Sequence, residues 1–434
     1  MPTNSKRDVP KGILGKFLSF PDRCVAHFTR GSRLEHTDDR DSKDYAGWRF
    51  IMNPVASYWT LVFSVAILTV FGLVMVYSST IARLASENEP VWKAALRQGI
   101  YAAVGIVLLL IVQILPSKAI KRFSFIAVLV AIALQALTLT PLGASAGGNS
   151  GWLILGPISL QPAEVMKLAL CIWLPRSLIE SAKEHAKKRT NKNDIRPFIW
   201  PMGIFLVCFL LVILGKDLGT AMIVALIGVF AFYISGFPLL DLGIGVLLGF
   251  SLIALLAVFG NSNRMNRILA TYGGCSAREA AQATGICFQS LHGDYALATG
   301  GIFGVGVGNS REKWSYLPAA DNDYIFAIIG EEWGFIGAVA VIAVIATLSW
   351  ALINLSLRHQ NMYMQIVLMC FTVWFTGQSF INIAVVLGAL PVMGLPLPFI
   401  SSGGSSLIMC LIGAGVCIRL GREQEDVKAS LARA

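Results

Sequence analysis

Charge is scarce in this sequence. Only 14% of its 434 residues are Asp, Glu, Lys or Arg, where a soluble globular chain carries about a quarter. Long polar stretches are equally scarce after residue 56, which leaves no material for a second, water-facing core. Histidine is limited to His27, His36, His185, His292 and His359, and no Cys/His grouping has the spacing of a metal site. Four of these histidines fall in segments expected inside the cell, so a Ser-His-Asp triad has no support. No patch interleaves Arg or Lys with aromatics for stacking bases, which argues against a nucleic-acid partner. No Lys follows Gly403 and Gly404, which excludes a Walker loop. The N-terminal stretch lacks an apolar segment followed by a small-residue cleavage site, so no cleaved signal peptide is expected.

Apolar residues fill the space that charge leaves. They make up 55% of the chain, and mean hydropathy is +0.67. Runs of about 20 apolar residues recur, each long enough to cross a bilayer as a helix. The fold class read from this is an all-α polytopic membrane protein with about ten transmembrane helices. The spans lie near 57–79, 98–115, 122–142, 160–178, 198–214, 217–236, 238–259, 323–353, 363–388 and 404–420. Gly215 and Lys216 alone separate the fifth and sixth, which form a tight hairpin or one broken helix. Most of the 35 basic residues fall on one side if the N-terminus is inside, so both termini are expected to be cytoplasmic. The net charge of +10 suits anionic lipid heads.

Three domains follow. Residues 1–56 are a mostly disordered cytoplasmic tail, 57–420 the ten-helix membrane domain, and 421–434 a cytoplasmic C-terminal tail. A large extracytoplasmic loop, 260–322, joins helices 7 and 8. Loops of this length without helical pattern are uncommon unless functional. A disulfide between Cys275 and Cys287 in this loop is chemically allowed, and two free thiols are equally compatible.

Four polar groupings fall at membrane depth or its outer edge, where ionisable residues suggest function. "LPAADNDYIFAIIGEEWG" places Asp321 and Asp323 at the mouth of span eight, with Glu331 and Glu332 expected one to two turns deeper. Asp323 reads as a general base or as a helix N-cap. Glu331 and Glu332 point about 100° apart on a helix, and structural pairing is the plainer reading for them. In "ISLQPAEVMKLAL", Gln161, Glu164 and Lys167 are spaced by three and expected on one helix face. Glu164 and Lys167 are a structural ion pair or a pair lining a substrate cavity. In "GKDLGT", Asp217 is a cap or a contact in a substrate groove, with Lys216 near a phosphate. "GLPLPFISSGGSSL" cannot be a regular helix; it is a re-entrant packing element or a phosphate-binding turn through Ser401, Gly403, Gly404 and Ser405.

Together these motifs resemble the SEDS family (shape, elongation, division and sporulation), in its FtsW-like branch. The resemblance covers about 57–420. It rests on "GWLILGPISLQPAEVMKLAL", "KDLGT", "GGIFGVGVGNS", "KWSYLPAADNDYIFAIIGEEWGFIG" and "LPLPFISSGGSSL". The polar tail and "NDYIF" resemble an actinobacterial type. Family members polymerise lipid II outside the membrane, beside a class B penicillin-binding protein that cross-links the product. The family's required aspartate, in "TDFIFA", matches Asp323. The acid and base of "QPAE…K" match Glu164 and Lys167, and the acid of "PDLGT" matches Asp217. The sequence departs at Gly151 (often Arg), Lys216 (usually Pro), Ala319 (Glu in "LPEA") and Ser402 (commonly Tyr), and it has extra residues around 292–295.

The resemblance implies a peptidoglycan glycosyltransferase of the cytoplasmic membrane, inverting at the sugar carbon and placed at the division septum. Other divisome membrane proteins and membrane lipids are further expected partners. Asp323 deprotonates the acceptor hydroxyl. Lys216, Arg264, Arg267, Arg311 and Lys313 are candidates for meeting the diphosphate. No cofactor is demanded; a divalent cation, Mg or Mn, is an open addition. The rivals are a lipid II flippase, a RodA-like elongation polymerase and a division scaffold. Clustering of the acids at the outer face favours a polymerase.

Overall fold

The computed structural model describes residues 51–146, 149–155, 158–187, 194–259, 271–272, 286–314 and 316–433. Helical segments overlie the ten expected spans, the ninth of them in two pieces. In chain order they are α1 Pro54–Ser86, α2 Trp92–Ile114, α3 Ser117–Leu137, α4 Pro162–Lys187, α5 Ile199–Leu214, α6 Leu218–Ile234 and α7 Leu239–Phe259. After α8, Ile286–Gly300, come α9 Ile325–Arg358, α10 Met362–Thr372, α11 Gln378–Val386, α12 Gly404–Gly421 and α13 Glu425–Arg433. A π-helical turn, Val373–Gly377, joins α10 to α11. Among the described residues, seven helical segments are long and apolar enough to cross a membrane. The chain is a multi-pass membrane protein.

Local chemistry sets these elements. Asn53 caps α1 through a bond from the Val55 amide (2.9 Å), with Pro54 at its first position, both favoured there. At 33 residues α1 is about 50 Å long, longer than a span needs. Its Leu61, Val65, Leu68 and Met75 are buried, while Trp59, Phe63, Ile67 and Val70 stay exposed, the lipid-facing side. Small residues bring helices together. A Cβ on Gly404 of α12 would sit 2.5 Å from the Tyr101 ring of α2, and one on Gly415 would sit 3.1 Å from Leu109 backbone.

The fifth and sixth spans resolve as a hairpin. Phe205 of α5 packs under Gly228 of α6, where a Cβ would lie 2.2 Å from the ring. Helix α4 is buried along nearly its whole length. It is not among the seven apolar segments; enclosed by other helices, it can carry charge.

Four features were unread in the sequence or left open by it. A three-stranded antiparallel sheet, β1 Gly143–Ala146, β2 Asn149–Leu155 and β3 Ile158–Leu160, stands between α3 and α4. The loop at 260–322 contains α8, packed along α9. Residues of the C-terminal tail form α13, packed on α1. Cys287 is disulfide-bonded, which removes the free-thiol alternative for it; Cys275 lies outside the described residues.

Helix α9 is broken at Gly334 (φ 68°, ψ −168°), backbone that suits only glycine. The glycine-rich segment 301–306 lies across the break like a strand. Val305 and Gly306 amides donate to the carbonyls of Glu331 (2.9 Å) and Glu332 (3.1 Å), while Phe335 and Ile336 amides donate to Gly301 (2.9 Å) and Ile302 (3.2 Å). The part after the break, 335–358, is about 36 Å long and crosses a bilayer unaided. Glu331 and Glu332 precede the break, on the piece not needed for crossing. They lie about two turns along α9 from its start at Ile325.

At the opposite end, His359 is buried between α9 and α12. Its Nδ1 accepts from the Asn361 amide (3.1 Å), and its Nε2 faces the Leu420 carbonyl (3.2 Å). The two bonds together require the neutral ring with hydrogen on Nε2. Burial pushes its pKa below the ordinary 6.5, against the raising effects of the Leu420 carbonyl, Glu423 and Glu425. Its contribution to stability is full above 6.5 and falls as pH drops below that value. Thermal melts in detergent at about pH 8 and about pH 5.5 are expected to differ more for the wild type than for His359→Gln.

Candidate active site

The candidate site forms where the segment 319–324 meets the irregular stretch 391–403. Asp323 is buried, with 7% of its surface exposed. The N-cap of α9 is Tyr324, one residue on, so Asp323 does not fill the capping position that was its plainer alternative. Its backbone is clamped: the Asn382 Nδ2 amide donates to the carbonyls of Asp323 and Leu395, both at 2.7 Å. Ser401 acts as a staple, its hydroxyl donating to the Asn322 carbonyl and accepting from the Leu397 amide, both at 2.7 Å. The Ser402 amide donates to the Asp321 carbonyl at 2.9 Å. Arg83, exposed in the last turn of α1, stands 3.9 Å from the Asp321 carboxylate. The side-chain oxygens of Asn322 and Asn382 are buried and have no hydrogen-bond partner among the described residues.

Below this lies an ion pair with no solvent exposure. Lys167 Nζ is 2.8 Å from Glu164 Oε1 and 2.7 Å from Gln378 Oε1, and 5.0 Å from the Trp374 ring centre. Trp374 Nε1 also donates to Gln378 Oε1 (3.0 Å), and Gln378 Nε2 donates to the Pro396 carbonyl (2.7 Å). Glu164 Oε2 has no partner among the described residues. A polar thread thus runs from Asp323 through Asn382, the 395–396 backbone and Gln378 to Lys167. The π turn lies within this stretch, as such turns often do at functional sites.

Gln161 does not share the helix face of Glu164 and Lys167. It precedes Pro162 and donates instead to Asp217 Oδ2 at 2.7 Å. Asp217 is the N-cap of α6, accepting from the Thr220 amide at 3.0 Å; its capping reading holds. Lys216 is exposed in a left-handed turn (φ 60°). Gly403, the N-cap of α12, makes no side-chain capping bond, and Gly403 and Gly404 are partly exposed. Ser405 is buried and meets the Gln161 amide at 3.4 Å.

Lys313 departs from its expected role. It is buried and donates to Glu332 (2.9 Å), Ser78 (3.2 Å) and the Gly308 carbonyl (2.6 Å). An ammonium has three hydrogens, and all three are occupied within the protein, so it does not meet a diphosphate. Glu331 accepts from Ser310, from the Arg311 amide (2.9 Å) and from Thr299 (3.3 Å). Both glutamates are structural. Arg264 and Arg267 lie outside the described residues. Among the described residues no group of three or more His, Cys, Asp or Glu could hold a metal ion.

The profile of the FtsW/RodA/SpoVE family, described as "Cell cycle protein", matches residues 58–426. The chain belongs to this family. Its SEDS motifs therefore sit in a SEDS protein, and FtsW proteins are among its relatives. A "Probable peptidoglycan glycosyltransferase FtsW" of Mycobacterium tuberculosis is 30% identical over 87% of this chain and 70% of the relative. "Stage V sporulation protein E" of Bacillus subtilis is 31% identical over 83% of this chain and 96% of the relative. Solved SEDS structures share the fold. Thermus thermophilus "Rod shape determining protein RodA" aligns with a TM-score of 0.60 at 26% identity, covering 84% of this chain and 97% of that one. A chain from a structure described as "Structural coordination of polymerization and crosslinking by a peptidoglycan synthase complex" aligns with a TM-score of 0.65 at 25% identity, covering 84% and 98%.

Arg83, Asn382, Gln378 and Trp374 escaped the sequence reading. Gln378 and Asn382 carried a usable signal: two amides four residues apart inside an apolar run. Arg83 lay just past the expected end of span one, and nothing local ties it to Asp321.

Proposed function

We propose that this chain is a peptidoglycan glycosyltransferase that polymerises lipid II into β-1,4 glycan strands at the outer face of the cytoplasmic membrane during cell division. Undecaprenyl diphosphate is the other product. On this reading the membrane domain 57–420 has ten spans, the tails 1–56 and 421–434 are cytoplasmic, and Asp323 faces outward. The observation that carries the reading is the buried Asp323, whose backbone is fixed by Asn382 and whose neighbour Asn322 is held by Ser401, with Arg83 standing 3.9 Å from the carboxylate of Asp321 two residues away.

Asp323 takes the proton from the 4-hydroxyl of the acceptor sugar as it attacks the donor's anomeric carbon. The α-linked diphosphate leaves and a β bond forms. Charge developing on the diphosphate calls for cations or amides. Arg83, Lys216 and the partly exposed amides of Gly403 and Gly404 are suited to that; Arg264 and Arg267 remain candidates. The unmet oxygen of Asn322 suits a ligand rich in hydroxyl and amide donors. Glu164, Lys167 and Asp217 act beneath, holding the helices that shape the site. The partner is a class B penicillin-binding protein at the septum, a reading supported by the structural neighbour in a synthase complex.

The test is glycan synthesis from labelled lipid II, with a cognate penicillin-binding protein whose transpeptidase serine is disabled. Wild type is expected to make polymer and a folded Asp323→Asn protein none. Equal polymer from both overturns Asp323 as base. Polymer from neither, with flipping of lipid II in vesicles, makes the chain a flippase instead. Chelation followed by Mg or Mn tests whether a divalent cation assists.

A further inference from the structure

A second site lies toward the start of α5, at the other end of that helix from Lys216 and Asp217. Helices α3 and α5 leave between them a groove of about 650 Å³, open along one side. Ile132 forms one wall; Ile199, Gly203 and Val207 form the other, with Arg196 and Trp200 at one end. A Cβ on Gly203 would meet nothing within 4 Å, so this glycine leaves open space where any other residue would project.

The two ends of the groove differ in chemistry. Arg196 begins the short 3₁₀ turn before α5, and its side chain is 88% exposed. The nearest acid, Asp194, is 4.0 Å from its Nε. Trp200, one turn on, is also exposed, as tryptophans at the membrane–water boundary are. Beyond them the walls are apolar. From Arg196 to Val207 the chain rises about 16 Å, close to half of a hydrocarbon core about 30 Å thick. A groove that is one leaflet deep, apolar within and cationic at its mouth, matches a single phospholipid in length and in charge. A guanidinium matches the phosphate with two parallel donors.

We propose that this groove binds one anionic phospholipid of the cytoplasmic leaflet. Its phosphate rests on Arg196, and an acyl chain lies over Gly203. The leaflet rests on the orientation proposed above; the preference for an anionic head does not. The site is separate from the Asp323 region and is carried by α5, whose far end turns through Lys216 into Asp217.

The test uses the full chain, purified in mild detergent and given phosphatidylglycerol and phosphatidylcholine in equal amounts. Bound lipid is read by native mass spectrometry. The wild type is expected to retain phosphatidylglycerol about fivefold over phosphatidylcholine, the preference that one basic residue near a surface supplies. Arg196→Ala should bring the ratio near one. Gly203→Phe should lose one lipid adduct of either kind, and Gly203→Leu repeats this where the larger side chain disturbs folding. Equal retention of both lipids by the wild type overturns the proposal. So does an unchanged preference in Arg196→Ala, or an undiminished adduct count in both folded Gly203 variants.

Discussion

Lys167→Met should destabilise the protein by about 3–5 kcal/mol, the cost of removing one member of a buried ion pair. The side chain keeps its length, so the loss is one of charge. Glu164 would be left in a bundle interior with no cation beside it. One of its oxygens already has no partner among the described residues, so it starts without reserve. The Trp374 indole and the Pro396 carbonyl would still hold Gln378, which confines the damage to the acid. Replacing both charges, Glu164→Gln with Lys167→Met, should recover much of the loss, because the penalty lies in the orphaned carboxylate. Thermal unfolding of the three proteins in one detergent decides this. A single variant that melts with the wild type would mean that the pair contributes nothing to stability.

Asn382→Ala is expected to cut glycan synthesis by about a hundredfold, the loss that a misplacement of about 1 Å brings to a catalytic group. The residue ties the Asp323 and Leu395 carbonyls to one amide. Without it both carbonyls lose a donor, each at about 1–3 kcal/mol, and the segments 319–324 and 395–401 lose a shared anchor. Turnover should fall while the lipid II concentration at half-maximal rate changes within about threefold, since positioning acts on the chemical step. Asn382→Asp should not rescue, because a carboxylate cannot donate to two carbonyls. Activity within about threefold of the wild type would remove Asn382 from the positioning of Asp323.

The sequence made some of this architecture legible because apolar run length is a local property. The apolar runs became helices, the ninth broken into two, and the hairpin at Gly215–Lys216 followed from a separation of two residues. The Glu164–Lys167 pair was legible too, since a spacing of three on a helix is enough. Contacts made across the fold were not. Lys313 looked like a free outer cation until Glu332 and Ser78, from two other elements, were seen to enclose it. Asp323 and a capping aspartate look alike in one dimension; only the start of α9 at Ile325 separates them. The sheet at 143–160 was missed because it falls in the gap between the spans at 122–142 and 160–178, in strands of four, seven and three residues that are too short to show a period. The π turn at Val373–Gly377 has no signature of its own, and Gly334 reads as any helical glycine until 301–306 is laid against it.

Helix α4 has a consequence for biogenesis. It carries Glu164, Lys167, Arg176 and Glu180 and falls outside the apolar segments that composition alone would send into lipid. Each charge near a helix centre resists insertion by about 2.5–3.5 kcal/mol. Its partners on the far side, Trp374 and Gln378, are about two hundred residues downstream and leave the ribosome much later. During synthesis the helix therefore waits in a sheltered setting, against α3 or the insertion machinery, until the later spans arrive. The polar centre of the protein is closed last, and a chain stalled before residue 378 would hold an ion pair that nothing yet encloses.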